Sequence, residues 1–132
     1  MEKQRRTFLS YSRANKDFAV KLARELKSEG FAIWLDQLDI PPGSRWDVEV
    51  ENALANASCV LVILSPFSQA SENVQDEIAY ALDSGKKIIP VVLENCMVHF
   101  RLRRLKHIDF TKNYNQGLDQ LLAAFEQPAM VS

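Results

Sequence analysis

Cysteine is scarce. Cys59 and Cys96 are the two in 132 residues, too few and too unpatterned for a disulfide-stapled scaffold, so a reducing compartment, the cytoplasm, is expected. No apolar run approaches the roughly 20 residues that a membrane helix needs, and Met1 to Arg6 is too short and polar for a signal peptide, so the chain is expected to be soluble. Neither sign of charge dominates: 16 Lys and Arg against 17 Asp and Glu leave a net charge of −1, which gives no whole-molecule reason to bind nucleic acid. His99 and His107 stand at no metal-ligand spacing from the cysteines, so no zinc site is expected. Repeats and low-complexity segments are absent. What is present, 47% hydrophobic and 25% charged residues, is the composition of a globular protein, and the length suits one core. A single domain over residues 5–127 is expected, with short tails at 1–4 and 128–132.

Along the chain, strands and helices alternate. Thr7 to Tyr11 reads as a short apolar strand, and Phe18, Leu22 and Leu26 recur at helical spacing over about Lys16 to Glu29, with Gly30 as the left-handed cap. Phe31 to Leu35 reads as strand two. Gln37 to Gly43 reads as a loop stiffened by Pro41 and Pro42, and Ser44 with Asp47 as a capping box for a helix bearing Trp46, Val50, Ala53 and Leu54 on one face. Lys87 to Leu93 gives strand four, with Pro90 expected near an end or edge. Glu94 to Lys106 reads as irregular and carries Arg101, Arg103, Arg104 and Lys106; it is expected to be a solvated basic segment, with contact to another copy or domain as the alternative. His107 to Phe110 gives a weak fifth strand, and Tyr114, Leu118, Leu121, Leu122 and Phe125 a closing helix.

The stretch from Val60 to Leu82 is the most informative. Val60 to Leu64 is an unbroken aliphatic run, as in a strand covered on both faces, and Ser65-Pro66 stops it before a polar loop. Ser71 then caps a helix whose buried stripe is Val74, Ile78, Ala81 and Leu82. Glu77 lies roughly 60° off that stripe, on the same edge as Asn73, where a carboxylate would be half sheltered. Right-handed crossovers favour a parallel sheet of order 2-1-3-4-5 with helices on both faces. The order reverses between strands one and three, so the turn Ser10 to Asn15 and the loop leading to Glu77 should face each other across the crevice in which ligands bind. A phosphate-accepting receiver domain has the same sheet order. That reading fails because Ser65-Pro66 stands where it needs the strand-three aspartate.

With FLSYS after the start, FAIWLDQLDIPPG in the second strand and its loop, and VILSPFSQASENVQDEIAYAL in the middle, the chain resembles a Toll/interleukin receptor (TIR) domain of bacterial type over nearly its whole length. The resemblance implies a flavodoxin-like doubly wound five-stranded sheet and one of two functions. One is an enzyme that cleaves NAD at the nicotinamide–ribose bond to a linear or cyclic ADP-ribose, activated by self-association in signalling or bacterial immunity. The other is a non-catalytic TIR–TIR interaction module. In enzymatic relatives the catalytic acid is the glutamate of a pattern resembling S-x-W-x-x-x-E; Ser71, Asn73 and Glu77 hold those positions here, with Asn73 in place of the tryptophan. NAD would be substrate, with no cofactor and no metal. Other TIR domains and a fused sensor domain are the implied partners.

Such a cleavage passes through an oxocarbenium-like ribose, and nicotinamide leaves neutral from a cationic pyridinium, so one carboxylate, Glu77, would suffice to stabilise the developing charge. Ser10, Tyr11 and Arg13 would take phosphate or line the first turn, Asp36 would accept a ribose hydroxyl, and Trp46 would offer an aromatic face to a base. Four of these have a plainer reading. Glu77 suits a first- or second-turn acid facing the helix dipole, Trp46 a core residue, Asp36 a strand terminator and Arg13 a solvated charge. For the docking function, Leu38, Ile40, Pro41 and Pro42 are expected to be exposed on the loop after strand two.

Overall fold

The computed structural model describes residues 6–126; the expected tails, 1–4 and 128–132, lie outside the described residues. The elements in order are β1 (Arg6–Ser10), a 3-10 turn (Arg13–Asn15), α1 (Lys16–Ser28), β2 (Ala32–Trp34), α2 (Asp36–Asp39), α3 (Trp46–Asn56), β3 (Cys59–Leu64), α4 (Pro66–Gln69), α5 (Glu72–Asp83), β4 (Lys87–Val92), a 3-10 turn (Phe100–Leu102), β5 (Ile108–Asp109) and α6 (Tyr114–Glu126). The five strands form one parallel sheet of order β2-β1-β3-β4-β5. This is the expected doubly wound topology. Its reversal falls between β1 and β3, where Ser10 pairs with Val62.

All six residues of β3 are buried, and their alternation feeds two cores. Leu61 and Ile63 pack with Leu22, Leu26 and Leu121 under α1 and α6. Val60, Val62 and Leu64 pack with Leu54, Val74, Ile78 and Ala81 under α3 and α5. Each such fully buried aliphatic contributes roughly 1.5–3 kcal/mol. The breaks between elements are equally local. After α1 and again after α5 a glycine takes positive φ, Gly30 at 96° and Gly85 at 73°. In both cases the glycine and the next residue, Phe31 or Lys86, donate back to the last helical turn, so the chain reverses without losing backbone bonds.

Four local expectations are corrected. The segment after β2 is not a loop throughout: Asp36–Asp39 forms a helical turn because Asp39 reaches back to the Leu35 N–H at 2.8 Å and pairs with Lys27 at 2.9 Å. Ser44 and Asp47 make no capping box; Arg45 is the N-cap, and Asp47 turns its carboxylate to Arg45 and to the Val48 N–H. The polar stretch after β3 is the turn α4, capped reciprocally by Ser65 and Ser68. Pro90 lies inside β4. It is tolerated there because Leu93 N–H points to β3 and Val92 C=O to Phe110, so by alternation Pro90 directs its missing donor to the β5 side, where pairing starts only at Val91.

Candidate functional site

The two turns beside the sheet reversal are tied together by buried hydroxyls. Ser65 donates to Asn15 Oδ1 at 2.6 Å while its oxygen accepts from the Phe67 and Ser68 N–H groups at 3.2 and 3.1 Å. Ser71 caps α5 by accepting from Val74 N–H at 3.2 Å. With Val74, Ile78 and Ala81 buried on the sheet, Glu77 falls off that stripe and leans over the end of β1. There Ser10 Oγ donates to Glu77 Oε1 at 2.5 Å.

A second set of contacts links β1 to the segment after β2. Tyr11 donates its phenol to Asp36 Oδ1 at 2.5 Å, and Trp46 donates Nε1–H to Asp36 Oδ2 at 3.3 Å. Asp36 thus gathers two aromatic side chains from different elements, with carboxylate lone pairs still available to a hydroxyl. Between the two sets lies a crevice of about 50 Å³, lined by Tyr11, Arg13, Asp36, Trp46, Asn73 and Glu77 among others. That volume accommodates one or two water molecules.

Six of the seven expected ligand-contacting residues therefore come together. Ser10 is the exception: at 1% exposure it stands behind Glu77 and does not line the crevice. Trp46 is 41% exposed, so it is a wall of the crevice and not a core residue. Trp34 also lines the space, stacked on Phe8 at 5.3 Å, and was not anticipated. The signal was present: Trp34 and Asp36 are two residues apart at a strand end and so tend to share a face. Of the loop residues, Pro41 and Pro42 are exposed, Ile40 is half-buried, and Leu38 packs on the core, which corrects the expectation of four exposed residues. Among the described residues no group of three His, Cys, Asp or Glu is placed to hold a metal ion.

The electrostatics single out Glu77. Burial pushes its carboxyl up to about 7; the Ser10 hydrogen bond opposes this, and the negative charges of Asp36 and Asp76 add to it. The Tyr11 phenol is also raised, first by burial and then by its bond to Asp36, so it is a firm donor at neutral pH. A neutral-range acid at the edge of a crevice at a sheet reversal is the pattern of a chemical site.

The family profile of the TIR domain matches residues 7–122. The chain belongs to the TIR domain family. This TIR domain is 29% identical over 94 residues to the 2′ cyclic ADP-D-ribose synthase BtTIR of Bacteroides thetaiotaomicron, covering 67% of this chain and 33% of that protein. It is 30% identical over 89 residues to the NAD(+) hydrolase TcpA of a Theionarchaea archaeon, covering 64% and 27%. The chain spans about a fifth to a third of the length of the curated relatives it matches. Among solved structures, the TIR domain of the Toll-related receptor TRR-2 from Hydra magnipapillata superposes with a TM-score of 0.79 at 17% identity, over 92% of this chain and 98% of that one, which shows the shared fold.

Proposed function

We propose that this TIR domain cleaves the nicotinamide–ribose bond of NAD, with Glu77 as the carboxylate that stabilises the ribosyl cation. The observation that carries the reading is the position of Glu77: half-buried, raised to about 7 and at the margin of the crevice beside the sheet reversal. The names of two relatives, a cyclic ADP-ribose synthase and an NAD hydrolase, support the same chemistry.

In the proposed reaction the C1′–N bond breaks and its electron pair returns to the pyridine ring, so nicotinamide leaves neutral without an acid. Ionised Glu77 faces the charge that develops at C1′, where low dielectric strengthens the attraction. Water then adds at C1′ and loses a proton to give ADP-ribose, or a hydroxyl of the ADP-ribosyl group adds to give a cyclic product. Asp36 orients a ribose hydroxyl, Arg13 meets the diphosphate, and Trp34 and Trp46 offer aromatic faces in place of the tryptophan that Asn73 replaces. NAD is the substrate and no cofactor is used. Activity rises on self-association, in a cytoplasmic signalling or defence protein whose sensor lies in another domain.

A second reading, a docking module without chemistry, is favoured by the exposed Pro41 and Pro42 on the segment between α2 and α3. Following nicotinamide release from NAD by concentrated protein separates the two. Release by the parent and none by Glu77→Ala supports the enzyme; no release at any concentration leaves the docking module.

A further inference from the structure

The connection between β4 and β5 gathers positive charge and exposed apolar surface in one place. From Asn95 to Ile108 it carries four Lys and Arg and no Asp or Glu, a charge of +4 in a chain of −1, so the remaining residues together carry −5. The basic character is local. In the same stretch stand Met97, Phe100 and Leu105, at 70%, 75% and 37% exposure, which are three of the seven exposed large apolar side chains among the described residues.

The segment is two-sided. Leu102 is fully buried, and Cys96 and Val98 pack beside it on the core under α3 and α5, which pins the chain to the domain. With those anchors turned inward, the three exposed apolar side chains alternate along the chain with Arg101, Arg103, Arg104 and Lys106, all four of them exposed. Arg101 donates to Asp83 at 3.3 Å and Arg103 to the Val98 carbonyl at 3.3 Å, while Arg104 and Lys106 form no ion pair among the described residues. A guanidinium has five N–H donors, so even the engaged arginines keep donors for a second anion.

We infer that this segment docks the domain on the surface of an anionic lipid bilayer, with Phe100, Met97 and Leu105 seated among the headgroups and the basic side chains on the lipid anions. A bilayer surface supplies both things the patch asks for, a layer of negative charge and apolar depth directly beneath it. A nucleic acid supplies the charge alone and leaves Met97 and Leu105 in water. The remaining residues, at −5, are repelled by the same surface, so the domain is held by this one face and oriented by it. No described helix is long and apolar enough to cross a membrane, so the contact is peripheral. None of these seven side chains lines the crevice, so the contact is independent of the NAD reading and is tested without NAD.

Flotation with vesicles tests it, using phosphatidylcholine alone and an equal mixture of phosphatidylcholine and phosphatidylserine. The parent is expected to float with the mixed vesicles at low salt, to ignore the neutral ones, and to be released as salt is added. Each cationic side chain at an anionic leaflet strengthens partition about fivefold, so Arg104→Glu with Lys106→Glu should weaken binding by about 25-fold or more and flatten its salt dependence. Phe100→Ser should weaken it about tenfold and keep the parent's salt dependence, because only apolar contact is lost. A control with the same change in net charge, Lys16→Glu with Arg24→Glu, sits at exposed positions of α1 on the other face of the sheet and should bind as the parent does. Thermal melts show that each variant is folded. A parent that leaves mixed vesicles unbound, patch variants that bind like the parent, a control that loses as much as they do, or a parent that binds an oligonucleotide through the same arginines and no vesicle overturns the proposal.

Discussion

Ser10 Oγ and Glu77 Oε1 lie 2.5 Å apart, joined across 67 positions of sequence, and the hydroxyl is the group that holds the Glu77 carboxyl down against its burial. The two residues sit on either side of the sheet reversal, so the bond also sets where the acid points. A hydrogen bond to a charged group is worth roughly 1.5–3 kcal/mol, and 1.36 kcal/mol is one pH unit. In Ser10→Ala the acid limb of NAD cleavage should therefore move to higher pH by about one unit or somewhat more, while the plateau rate at high pH is largely kept. A profile of kcat/KM against pH checks this. An unmoved limb with a uniformly lower rate would mean that Ser10 acts only in packing.

Asp36 should shift the same limb the other way. Its charge raises the Glu77 carboxyl, so Asp36→Asn lowers it and moves the limb to lower pH. The same change removes the anionic partner of the Tyr11 phenol, whose proton is held more tightly by that bond. The double-mutant cycle of Tyr11→Phe with Asp36→Asn should show a coupling in stability of about 1–3 kcal/mol, read from denaturant melts. Additive effects would argue that the Tyr11–Asp36 bond is not made in solution.

Stability should expose the same acid without any substrate. The carboxyl of Glu77 is raised in the folded chain to about 7 from an ordinary 4.5, so the folded state holds the proton more tightly than the unfolded state does. Folding is then undisturbed by this group below about pH 4.5, loses stability as the pH rises from 4.5 to 7, and carries the full cost above 7, about 3 kcal/mol. Glu77→Gln should thus stabilise the protein by about 2–3 kcal/mol at pH 8 and by almost nothing at pH 4.5, measured as unfolding free energies in urea. Gains of equal size at both pH values would show that ionisation is not the cause. A more stable, inactive Gln variant is what a strained functional acid predicts.

Much of this was legible in the sequence because the signals are local or periodic. The aliphatic run of β3, the glycines after α1 and α5, and the Val74–Ile78–Ala81 stripe each declare one element, and right-handed crossover then leaves little freedom in the sheet order. Glu77 could be placed at the crevice because its angle off that stripe follows from 3.6 residues per turn. What stayed hidden depends on partners distant in sequence. The turn at Asp36–Asp39 is fixed by Asp39 bonding back to Leu35 and out to Lys27, and nothing in QLDIPPG announces the lysine. Trp46 looked like core by spacing, yet it is half outside because Asp36 draws its N–H over the crevice. Ser10 looked like a phosphate ligand in a polar turn; its burial behind Glu77 follows only from the pairing of β1 with β3.

The crevice at about 50 Å³ has no room for a pyridine ring, and the Trp46–Asp36 hydrogen bond is what spans it on one side. If a dinucleotide enters by this wall, Trp46 must leave Asp36. Adding NAD to the Glu77→Gln variant, which should bind without turnover, is expected to change tryptophan emission as that indole moves, and the change should vanish in the same protein carrying Trp46→Phe. A signal that persists after Trp46→Phe would come from Trp34, the other tryptophan, and would place the opening on the β2 side.

The last contact to test is the one that holds the two turns at a fixed distance. Ser65 gives its proton to Asn15 while accepting two backbone donors of α4, and the serine is fully buried. Removing Asn15 leaves a buried hydroxyl donor without a partner, at a cost of about 1–3 kcal/mol, whereas removing both side chains spares that penalty. Asn15→Ala with Ser65→Ala should then cost clearly less than the sum of the two single changes, apart from the roughly 1 kcal/mol that Ser65 adds as a helix cap. If the tie also fixes the crevice, Asn15→Ala should raise KM for NAD more than it lowers kcat, since substrate and transition state would lose the same positioning. A variant with the parent's KM but a lower melting temperature would confine the tie to folding.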